Sequence, residues 1–466
     1  MGEGIADELQ GISLGDERLN RRSRKVIEAL AANPEASVNA AMNGWADTQA
    51  AYRLFSNPHV SAEQILEPHR RATQCRISEH PVVLLVQDTT ELDYTDHPTR
   101  DALCLNREER FGLYHHVQLA LTPAHLPLGV IATESFDRAP DTLGKRPRQT
   151  DVPIEDKESF RWLQGYRRAC ALAAQCPQTQ IVSVADSEAD IYDIFVAAQE
   201  QTGPRADYLI RAYEDRSTPE PNPAVSRRTY HKVRDQVADS PVRTRYTVDL
   251  CATPKRAARQ ATLAVRAISV TVKSPNARSH LPDISHNVIL VEEVDGPGDG
   301  TDVSWLLMTT LPIDTVEDIR RAIDYYVARW GIETYFRTLK TGCQVERIQL
   351  ETKPRLLNCL AFYNVIAWRI LYLTYLNRTS PDLPCTAVFA DHEWKPVWRI
   401  VRKEPLPKQP PPLCEFMKLI THLGGYNNRP SEKPAGPQPV WIGLRRMLDY
   451  SAAWLAFESE TEKRCV

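Results

Sequence analysis

The chain has 466 residues, of which 42% are hydrophobic and 25% are charged, and this composition is typical of a globular protein with two to four domains. Its formal net charge is −3, with 57 basic and 60 acidic side chains, which argues against a uniformly basic nucleic-acid-binding protein. Any polyanionic partner must therefore bind to local basic patches. The ten cysteines show no CxxC pair and no zinc-ligand spacing, which indicates reduced packing residues.

Two segments bear on membrane association. The first ten residues, MGEGIADELQ, are polar and acidic, so we expect no signal peptide. The longest apolar stretch, residues 356–376, is interrupted by Asn358, Asn364 and Arg369, which favours a buried helix over a membrane span. A cytoplasmic protein without a membrane partner is therefore expected.

Residues 1–74 predict a small helical module. Asp16 is a suitable N-cap for a helix whose apolar residues recur at helical spacing. Arg18, Arg21 and Arg22 lie largely on the other side of that helix. By charge pattern alone, a solvated surface and a DNA-binding surface fit this basic side about equally well.

Two predicted strands each end at an aspartate. The apolar runs at residues 82–87 (VVLLVQ) and 180–185 (QIVSVA) are typical of strands buried on both faces, and they precede Asp88 and Asp186. Open α/β sheets bind ligands at the carboxyl ends of their strands, so both aspartates are candidate site residues. The pattern between the two runs predicts a hairpin at residues 117–121 and 128–133 and a helix at residues 156–174.

Residues 205–303 alternate between strand patterns and polar turns, which predicts a β-rich region. Within it, residues 226–278 contain twelve Lys or Arg and three Asp, a local excess of nine positive charges. We interpret this excess as favouring contact with a phosphate backbone over a solvated β surface.

Residues 326–340 read YVARWGIETYFRTLK. At about 100° per residue, the side chains of Tyr326, Arg329, Glu333 and Lys340 fall within roughly 60° of one another on an α-helix. A separate apolar face follows the i, i+3, i+4, i+7 pattern and can pack on a core. Taken alone, the polar stripe fits an intrahelical ion-pair ladder better than a functional site.

Three carboxylates now stand out, those of Asp88, Asp186 and Glu333. Carboxylates brought together repel one another unless a cation lies between them. Oxygen ligands without a Cys or His cluster suit Mg²⁺ or Mn²⁺ and disfavour zinc. Two such ions about 3.5–4 Å apart are suited to hydrolysis and transesterification of a phosphodiester.

The same residues carry a family resemblance. The chain resembles the bacterial cut-and-paste DDE transposases, specifically the transposon-five-like insertion-sequence group with its Y-x2-R-x3-E-x6-K motif. Tyr326, Arg329, Glu333 and Lys340 match that spacing throughout. The other motifs are QDTT at residues 87–90 and ADSEAD at residues 185–190, with weaker similarities in GDERL near the start, AAYRLFSNP at residues 50–58, the Trp305 strand and HLGGY at residues 422–426.

The resemblance implies an α/β fold, with an RNase H-like catalytic core, a β-rich insertion, and helical N- and C-terminal domains. The proline-rich segment at residues 380–412 departs from the family pattern and is expected to form a linker or loop. The implied boundaries are a DNA-binding domain at residues 1–74, the core at 75–204 and 304–379, the insertion at 205–303, and a dimerisation region at 380–466.

The resemblance also implies residue roles. Asp88, Asp186 and Glu333 are the expected ligands of two Mg²⁺ ions per site, with Mn²⁺ as a substitute. The remaining expected roles concern DNA. Phosphate contacts are expected from Tyr326, Arg329 and Lys340, and further DNA contacts from Arg211, Arg18, Arg21 and Arg22. Trp305 is expected either to stack near a flipped base or to pack in the core.

The implied activity is transposition. The protein is expected to nick a transposon end, form a DNA hairpin, open it, and join the 3′-hydroxyl ends to target DNA. It is expected to act as a homodimer in a synaptic complex at the nucleoid. Two alternatives remain open at this point: a catalytically silent DNA-binding repressor or inhibitor of transposition, and a metal-dependent nuclease or resolvase.

Overall fold

The computed structural model describes residues 4–97, 99, 101, 104–107, 109–138, 152–221, 230–252 and 256–464, with side chains to residue 457. The chain forms two compact units. Unit 1 contains Met1–Arg76, Thr89–Lys145 and Gly331–Val466, and unit 2 contains Ile77–Asp88 and Arg146–Trp330.

The strands and α-helices are numbered in chain order. The strands are β1 (Val82–Asp93), β2 (Gly112–Leu121), β3 (Pro127–Phe136), β4 (Gln180–Ala185), β5 (Asp207–Arg211), β6 (Ser217–Pro221), β7 (Tyr230–Lys232), β8 (Val242–Leu250), β9 (Arg259–Val272), β10 (Ile284–Val294) and β11 (Ser304–Thr309). The helices are α1 (Glu17–Ala32), α2 (Val38–Ala41), α3 (Trp45–Phe55), α4 (Ala62–Ser78), α5 (Phe160–Gln175), α6 (Tyr192–Glu200), α7 (Val233–Ala238), α8 (Val316–Ala328), α9 (Trp330–Arg337), α10 (Lys353–Thr379), α11 (Asp391–Val397), α12 (Leu413–Leu423) and α13 (Pro437–Arg464).

Unit 2 is built on a mixed sheet. The first residues of β1 pair in parallel with β4, and β4 pairs in parallel with β5. The sheet then continues through antiparallel pairs in the order β5, β11, β10, β9 and β8. Helix α5 packs on β4, which covers the apolar run that the sequence placed in a buried strand. The predicted strands before Asp88 and Asp186 and the predicted α/β class are therefore confirmed.

The β-rich segment after residue 205 contributes most of this sheet. Strands β8, β9 and β10 lie on the far side of β11, and β6 and β7 form a separate two-stranded sheet beside helix α7. Residues of β9 alternate between buried and more exposed positions over much of its length, as expected for a strand with one face on a core.

Unit 1 contains the predicted hairpin and most of the helices. Strands β2 and β3 pair antiparallel; β2 begins earlier than the sequence pattern indicated, and β3 is longer at both ends. Helix α10 packs on β3, and the indole of Trp368 donates a hydrogen bond to the carbonyl of Pro127 at 2.9 Å. By length and composition α10 is able to cross a membrane, but 94% of its most apolar window is buried, which makes it the predicted core helix.

The N-terminal helices of unit 1 follow the predicted pattern. Asp16 caps α1, because its Oδ1 accepts a hydrogen bond from the amide of Arg18 at 2.7 Å. Val26, Ile27 and Leu30 are buried on the opposite side of α1 from the basic residues.

The proline-rich segment at residues 380–412 differs from the expected linker or loop. It contains α11, and Trp394 and Val397 on that helix are buried. Seven of the eight prolines of the segment lie outside α11, and the eighth, Pro396, lies in its last turn, so residues 385–395 are free of proline and can begin the helix. A proline count over the whole segment hid this short helix.

The helix predicted over residues 326–340 is interrupted. Helix α8 ends at Ala328, and the amide of Arg329 bonds to the carbonyl of Tyr326 in a tighter i→i+3 turn. Residues Thr338–Gly342 then form a π-helical turn. Lys340 therefore does not keep the 100° spacing from Glu333 that the sequence argument assumed.

Candidate active site

The two aspartates of unit 2 follow a pair of neighbouring strand residues. Gln87 on β1 is the register partner of Ala185 on β4, and Asp88 and Asp186 come next in the chain. Asp186 directly follows the end of β4, as expected, whereas β1 continues through Asp88 to Asp93, so the expectation that this strand ends at Asp88 is wrong. Parallel neighbours lie about 4.8 Å apart, so the two aspartates lie side by side where the parallel pairing of β1 with β4 ends. The structure thus brings together the two aspartates that the sequence singled out.

Gln87 supports the position of Asp88 from the other face of β1. Its side chain is 1% exposed, and its amide nitrogen donates a hydrogen bond to the hydroxyl of Ser183 at 3.2 Å. Helix α5 approaches so closely here that a Cβ on Gly165 would lie 2.0 Å from Oε1 of Gln87. A larger residue at this position would require the Gln87 side chain to move, so the glycine allows the close contact between α5 and the strand that carries Asp88.

Asp186 and Asp190 have different structural roles. Oδ1 of Asp186 accepts a hydrogen bond from the amide of Glu188 at 2.9 Å, so Asp186 caps the turn after β4. Asp190 accepts hydrogen bonds from the amides of Tyr213 and Glu214, each at 2.9 Å, and its side chain is 1% exposed. Asp190 therefore anchors the chain after β5, whereas Asp186 is partly open to solvent.

Arg329 forms an ion pair with Asp88. Its Nη1 lies 3.1 Å from Oδ2 of Asp88, and the two side chains are only 9% and 15% exposed. The guanidinium carbon lies 5.9 Å from the ring centre of Tyr326. Burial raises the pKa of Tyr326, while Arg329 and Arg211 oppose that rise and Asp186 adds to it. Tyr326 therefore lies within electrostatic reach of Arg329, Arg211 and Asp186.

An aromatic cluster borders these charged groups. The ring centre of Trp305 lies 5.4 Å from that of Tyr326 and 6.3 Å from that of Trp330, both in edge-to-face geometry. Trp330 is 52% exposed, whereas Tyr326 is 5% exposed. On β11, Trp305 lies two residues from Leu307, which pairs with Arg211 on β5. Trp305 and Arg211 therefore lie on the same face of the sheet.

Glu333 and Lys340 belong to unit 1. Glu333 is exposed on α9, whose buried face contains Ile332, Tyr335 and Phe336. Nζ of Lys340 lies 3.2 Å from Oε1 of Glu346, with both side chains about one-third exposed. The expected apolar face is confirmed.

A cavity of about 460 Å³ in unit 1 has walls of mixed charge. Lys340, Arg347 and Glu346 contribute to it from one part of the chain, and Asp93 and Asp96 contribute from another. The amide of Asp93 donates a hydrogen bond to the same Glu346 oxygen that pairs with Lys340, at 3.0 Å. Glu346 is thus fixed in place and holds the Lys340 ammonium at this cavity.

Two contacts fix α9 inside unit 1. A Cβ on Gly331 would lie 2.9 Å from Cδ1 of Leu121, so the close neighbour of this glycine in unit 1 is strand β2. The hydroxyl of Tyr335 donates a hydrogen bond to Oδ1 of Asn364 on α10 at 2.6 Å, and His115 on β2 bonds to the same oxygen at 3.0 Å. These contacts position the helix that carries Glu333.

The predicted basic surfaces are less uniform than the sequence suggested. Arg18 and Arg21 are exposed, Arg22 is half-buried, and all three line a cavity of about 990 Å³ in unit 1. In the segment at residues 226–278, several arginines pair with acidic side chains outside that segment. These pairs are Arg234 and Arg266 with Glu292, Arg259 with Glu293, and Arg278 with Asp193. The excess of nine positive charges is therefore partly neutralised in the fold.

The donor atoms of the aspartates suit a hard divalent cation, since Asp88 and Asp186 present carboxylate oxygens at one sheet edge. Within the described part of the chain, no three Asp, Glu, His or Cys side chains lie close enough to hold a metal ion. The guanidinium of Arg329 contacts an Asp88 oxygen that a cation would use. The carboxylates of Asp88 and Asp186 thus suit a hard cation by their chemistry, and the Arg329 guanidinium occupies one of the Asp88 oxygens.

Sequence reasoning missed two residues near this site. Gln87 was read only as part of a motif, although its side chain contacts Gly165 and Ser183. Trp330 was not singled out, although it is an exposed aromatic residue between Arg329 and Glu333 in the sequence. A tryptophan at a solvent-facing position of an amphipathic pattern was the available signal for the second residue.

Two family models match the chain. A model described as "Transposase DNA-binding" matches residues 1–60, and one described as "Transposase Tn5 dimerisation domain" matches residues 365–460. The first match covers helices α1 to α3, and the second runs from within α10 into α13. The strands that carry the paired aspartates lie between the two matches in the sequence.

Proposed function

Because the chain belongs to the Tn5-like transposases, with an α/β fold of the RNase H-like type, we propose that it cuts DNA at the ends of a transposable element and joins those ends to target DNA. The matched domains indicate DNA as a partner and a homodimer as the assembly. The observation that carries the proposed chemistry is the side-by-side position of Asp88 and Asp186 at one sheet edge.

In this proposal Asp88, Asp186 and Glu333 hold divalent cations, two Mg²⁺ ions per site with Mn²⁺ as a substitute. When bound, such ions activate a water or a 3′-hydroxyl and stabilise the leaving oxygen of a phosphodiester. The two aspartates supply oxygen donors from neighbouring strands, and Glu333 supplies a third donor from an exposed position on α9.

The scissile strand would be held by residues beside the aspartates. Arg329 and Tyr326 lie at the sheet edge, and Arg211 adds a further positive charge on the face that carries Trp305. An arginine suits a phosphate because its planar fork donates two parallel hydrogen bonds. Trp305 would offer a ring for stacking with a base that has left the duplex.

Residues outside this cluster would hold the rest of the DNA. Lys340 would contribute a phosphate contact, and Arg18, Arg21 and Arg22 on α1 would bind the transposon end within the matched DNA-binding domain. Hairpin formation, target joining and a synaptic complex of two protomers follow from the family and complete the proposal.

The test compares cleavage with binding. The substrate is a duplex copied from the DNA that flanks the coding region, incubated with Mg²⁺ and the purified protein. Asp88→Asn and Glu333→Gln should each remove nicking while the gel shift on the same duplex persists. Glu317→Gln, which removes one carboxylate from the first turn of α8, is the matched control and should cut normally.

Each other outcome identifies a different function. If the wild-type protein shifts the duplex and never nicks it, the chain is a silent binder or inhibitor. If it nicks but joins no end to a second DNA, it is a nuclease or resolvase. Cleavage that survives Asp88→Asn would show that the chemistry lies elsewhere.

A further inference from the structure

The ion pair between Arg329 and Asp88 joins two groups to which the proposed function gives separate partners. Asp88 is a proposed metal ligand, and Arg329 is a proposed phosphate contact. In the structure they contact each other at 3.1 Å with both side chains largely buried. A carboxylate oxygen that accepts from a guanidinium is not equally available to a cation, so the two partners of Asp88 compete.

Three features around Arg329 favour a second position for its guanidinium, in which it contacts a DNA phosphate instead of Asp88. It follows the last residue of α8, where the helix is interrupted before α9 begins. Its guanidinium lies beside the ring of Tyr326, and Arg211 adds a like charge near the same ring. An incoming phosphate would therefore meet two guanidinium groups. Its bidentate hydrogen bonds with Arg329 would replace the ion pair between Arg329 and Asp88.

We infer that Arg329 acts as a switch between Asp88 and DNA: without DNA its guanidinium neutralises Asp88 and competes with divalent cations, and a DNA phosphate draws it away and opens Asp88 to the metal. This inference rests on the proposed function. DNA and metal then bind cooperatively, and by thermodynamic linkage each strengthens the other by the same factor. The protein is thereby protected from assembling a loaded site before DNA is present.

The experiment measures Mn²⁺ affinity rather than catalysis. Mn²⁺ binding to the DNA-free full-length protein is followed by calorimetry or by the loss of the free-ion electron paramagnetic resonance signal. Arg329→Gln removes the competing charge and should strengthen Mn²⁺ binding by about tenfold or more. Arg321→Gln is the matched control, since Arg321 lies on α8, two turns before Arg329, and pairs with Asp318 at the surface, and it should leave the affinity unchanged.

A second arm adds the flanking duplex. In the wild-type protein the duplex should strengthen Mn²⁺ binding by roughly five-fold to 150-fold, the usual range of coupling between two sites. In Arg329→Gln the duplex should add little, because the competing guanidinium is already absent. Circular dichroism and thermal unfolding of Arg329→Gln verify that the variant is folded.

The outcomes separate the inference from the proposed function. If Asp88→Asn binds Mn²⁺ as tightly as the wild type, the proposed metal site itself is wrong. If Asp88→Asn loses the Mn²⁺ site but folded Arg329→Gln binds Mn²⁺ no more tightly than the wild type, the proposed function stands and the switch is refuted. Equal effects of the duplex in wild type and Arg329→Gln would also refute it.

Discussion

Nδ1 of His69 lies 2.6 Å from Oε2 of Glu8, and both residues are buried in unit 1. Nε2 of the same ring accepts a hydrogen bond from the amide of Val130 at 3.0 Å, so the ring proton belongs on Nδ1 and the histidine is neutral. Burial lowers the pKa of His69 in the same sense. The charged partner of Glu8 is therefore Arg76. Its Nη1 lies 2.9 Å from Oε1 of Glu8, and its Nη2 lies 3.1 Å from Oε2.

This cluster predicts a large cost for Glu8→Gln. Arg76 is 7% exposed, donates to the carbonyl of Leu128 and stacks on Trp368 at 4.5 Å, so it remains buried after its partner is removed. Breaking a buried ion pair in this way costs about 3–5 kcal/mol. We expect a clear fall in the midpoint of urea unfolding followed by tryptophan fluorescence.

Glu63→Gln is the matched control for that variant. Glu63 pairs with Arg70 at 2.7 Å on the same part of unit 1, but its side chain is 67% exposed. An exposed pair contributes at most about 1 kcal/mol. Similar midpoints for Glu8→Gln and Glu63→Gln would contradict a stabilising role for the buried cluster.

A buried histidine on β2 predicts a pH dependence of stability. Burial lowers the pKa of His115 to about 4, although its hydrogen bond with Asn364 opposes the shift. The unfolded chain has the ordinary histidine pKa of about 6.5. Between these two values the unfolded state binds a proton that the folded state excludes, so the free energy of unfolding falls as pH falls, by about 1.4 kcal/mol per pH unit. Below pH 4 this contribution ends.

His115→Gln should reduce the slope of unfolding free energy against pH between pH 6.5 and 4. The reduction should approach about 1.4 kcal/mol per pH unit, which corresponds to one proton. Urea unfolding at several pH values in that window measures the slope. His59→Gln, which replaces an exposed imidazole, should leave the slope as it is in the wild type. The prediction is wrong if His115→Gln retains the wild-type slope.

Gly165 predicts a steric effect on the strand that carries Asp88. An alanine Cβ at this position would lie 2.0 Å from Oε1 of Gln87, which is buried against Ser183. Overpacking of this kind costs about 1–3 kcal/mol, whereas alanine in place of glycine on a helix gains up to about 1 kcal/mol. Steric overlap with a buried amide should outweigh the gain, so Gly165→Ala should lower the thermal midpoint.

Gln87→Ala provides the test of that mechanism. The double variant Gly165→Ala, Gln87→Ala should be more stable than Gln87→Ala alone, because the space for the new methyl group is then open. Gly436→Ala is the control, since no atom lies within 4 Å of a Cβ built there. If Gly165→Ala destabilises the protein equally with and without Gln87, the contact between the two is not the cause.

The sequence predicted the elements whose signals are local. Runs of apolar β-branched residues before Asp88 and Asp186 predicted strands buried on both faces, and the structure shows that these two strands are parallel neighbours. The spacing of Tyr326, Arg329 and Glu333 depends on consecutive turns of chain, and it singled out the segment that carries these proposed site residues. The capping of α1 by Asp16 was visible for the same reason.

The sequence did not predict contacts that depend on distant pairing. Arg329 and Asp88 are 241 residues apart, and helical spacing relates Arg329 only to residues of its own segment. The charge count over residues 226–278 omitted Asp193, Glu292 and Glu293, because those acids lie outside the segment, on helix α6 and strand β10, and meet its arginines only in the folded chain. The π-helical turn at Thr338–Gly342 has no strong propensity signal, so the position of Lys340 was derived from ideal helix geometry.

Lys340 gives the most separable test of DNA contact. Its ammonium lies 3.2 Å from Glu346, which is itself fixed by the amide of Asp93. If Lys340 neutralises one phosphate of the transposon end, Lys340→Ala should weaken binding and reduce the slope of log K against log salt by about 0.9. Fluorescence anisotropy of a labelled flanking duplex at several salt concentrations measures both quantities.

Two further variants decide whether the lost contact is a phosphate contact. Lys340→Arg keeps the charge and should restore most of the salt slope, whereas Lys408→Ala removes an exposed lysine from residues 380–412 and should change neither quantity. Mn²⁺ affinity should be unaffected by Lys340→Ala, since its nearest acid is Glu346 rather than a proposed metal ligand. An unchanged salt slope in Lys340→Ala would mean that, in the wild-type complex, Lys340 stays paired with Glu346 and does not contact a phosphate.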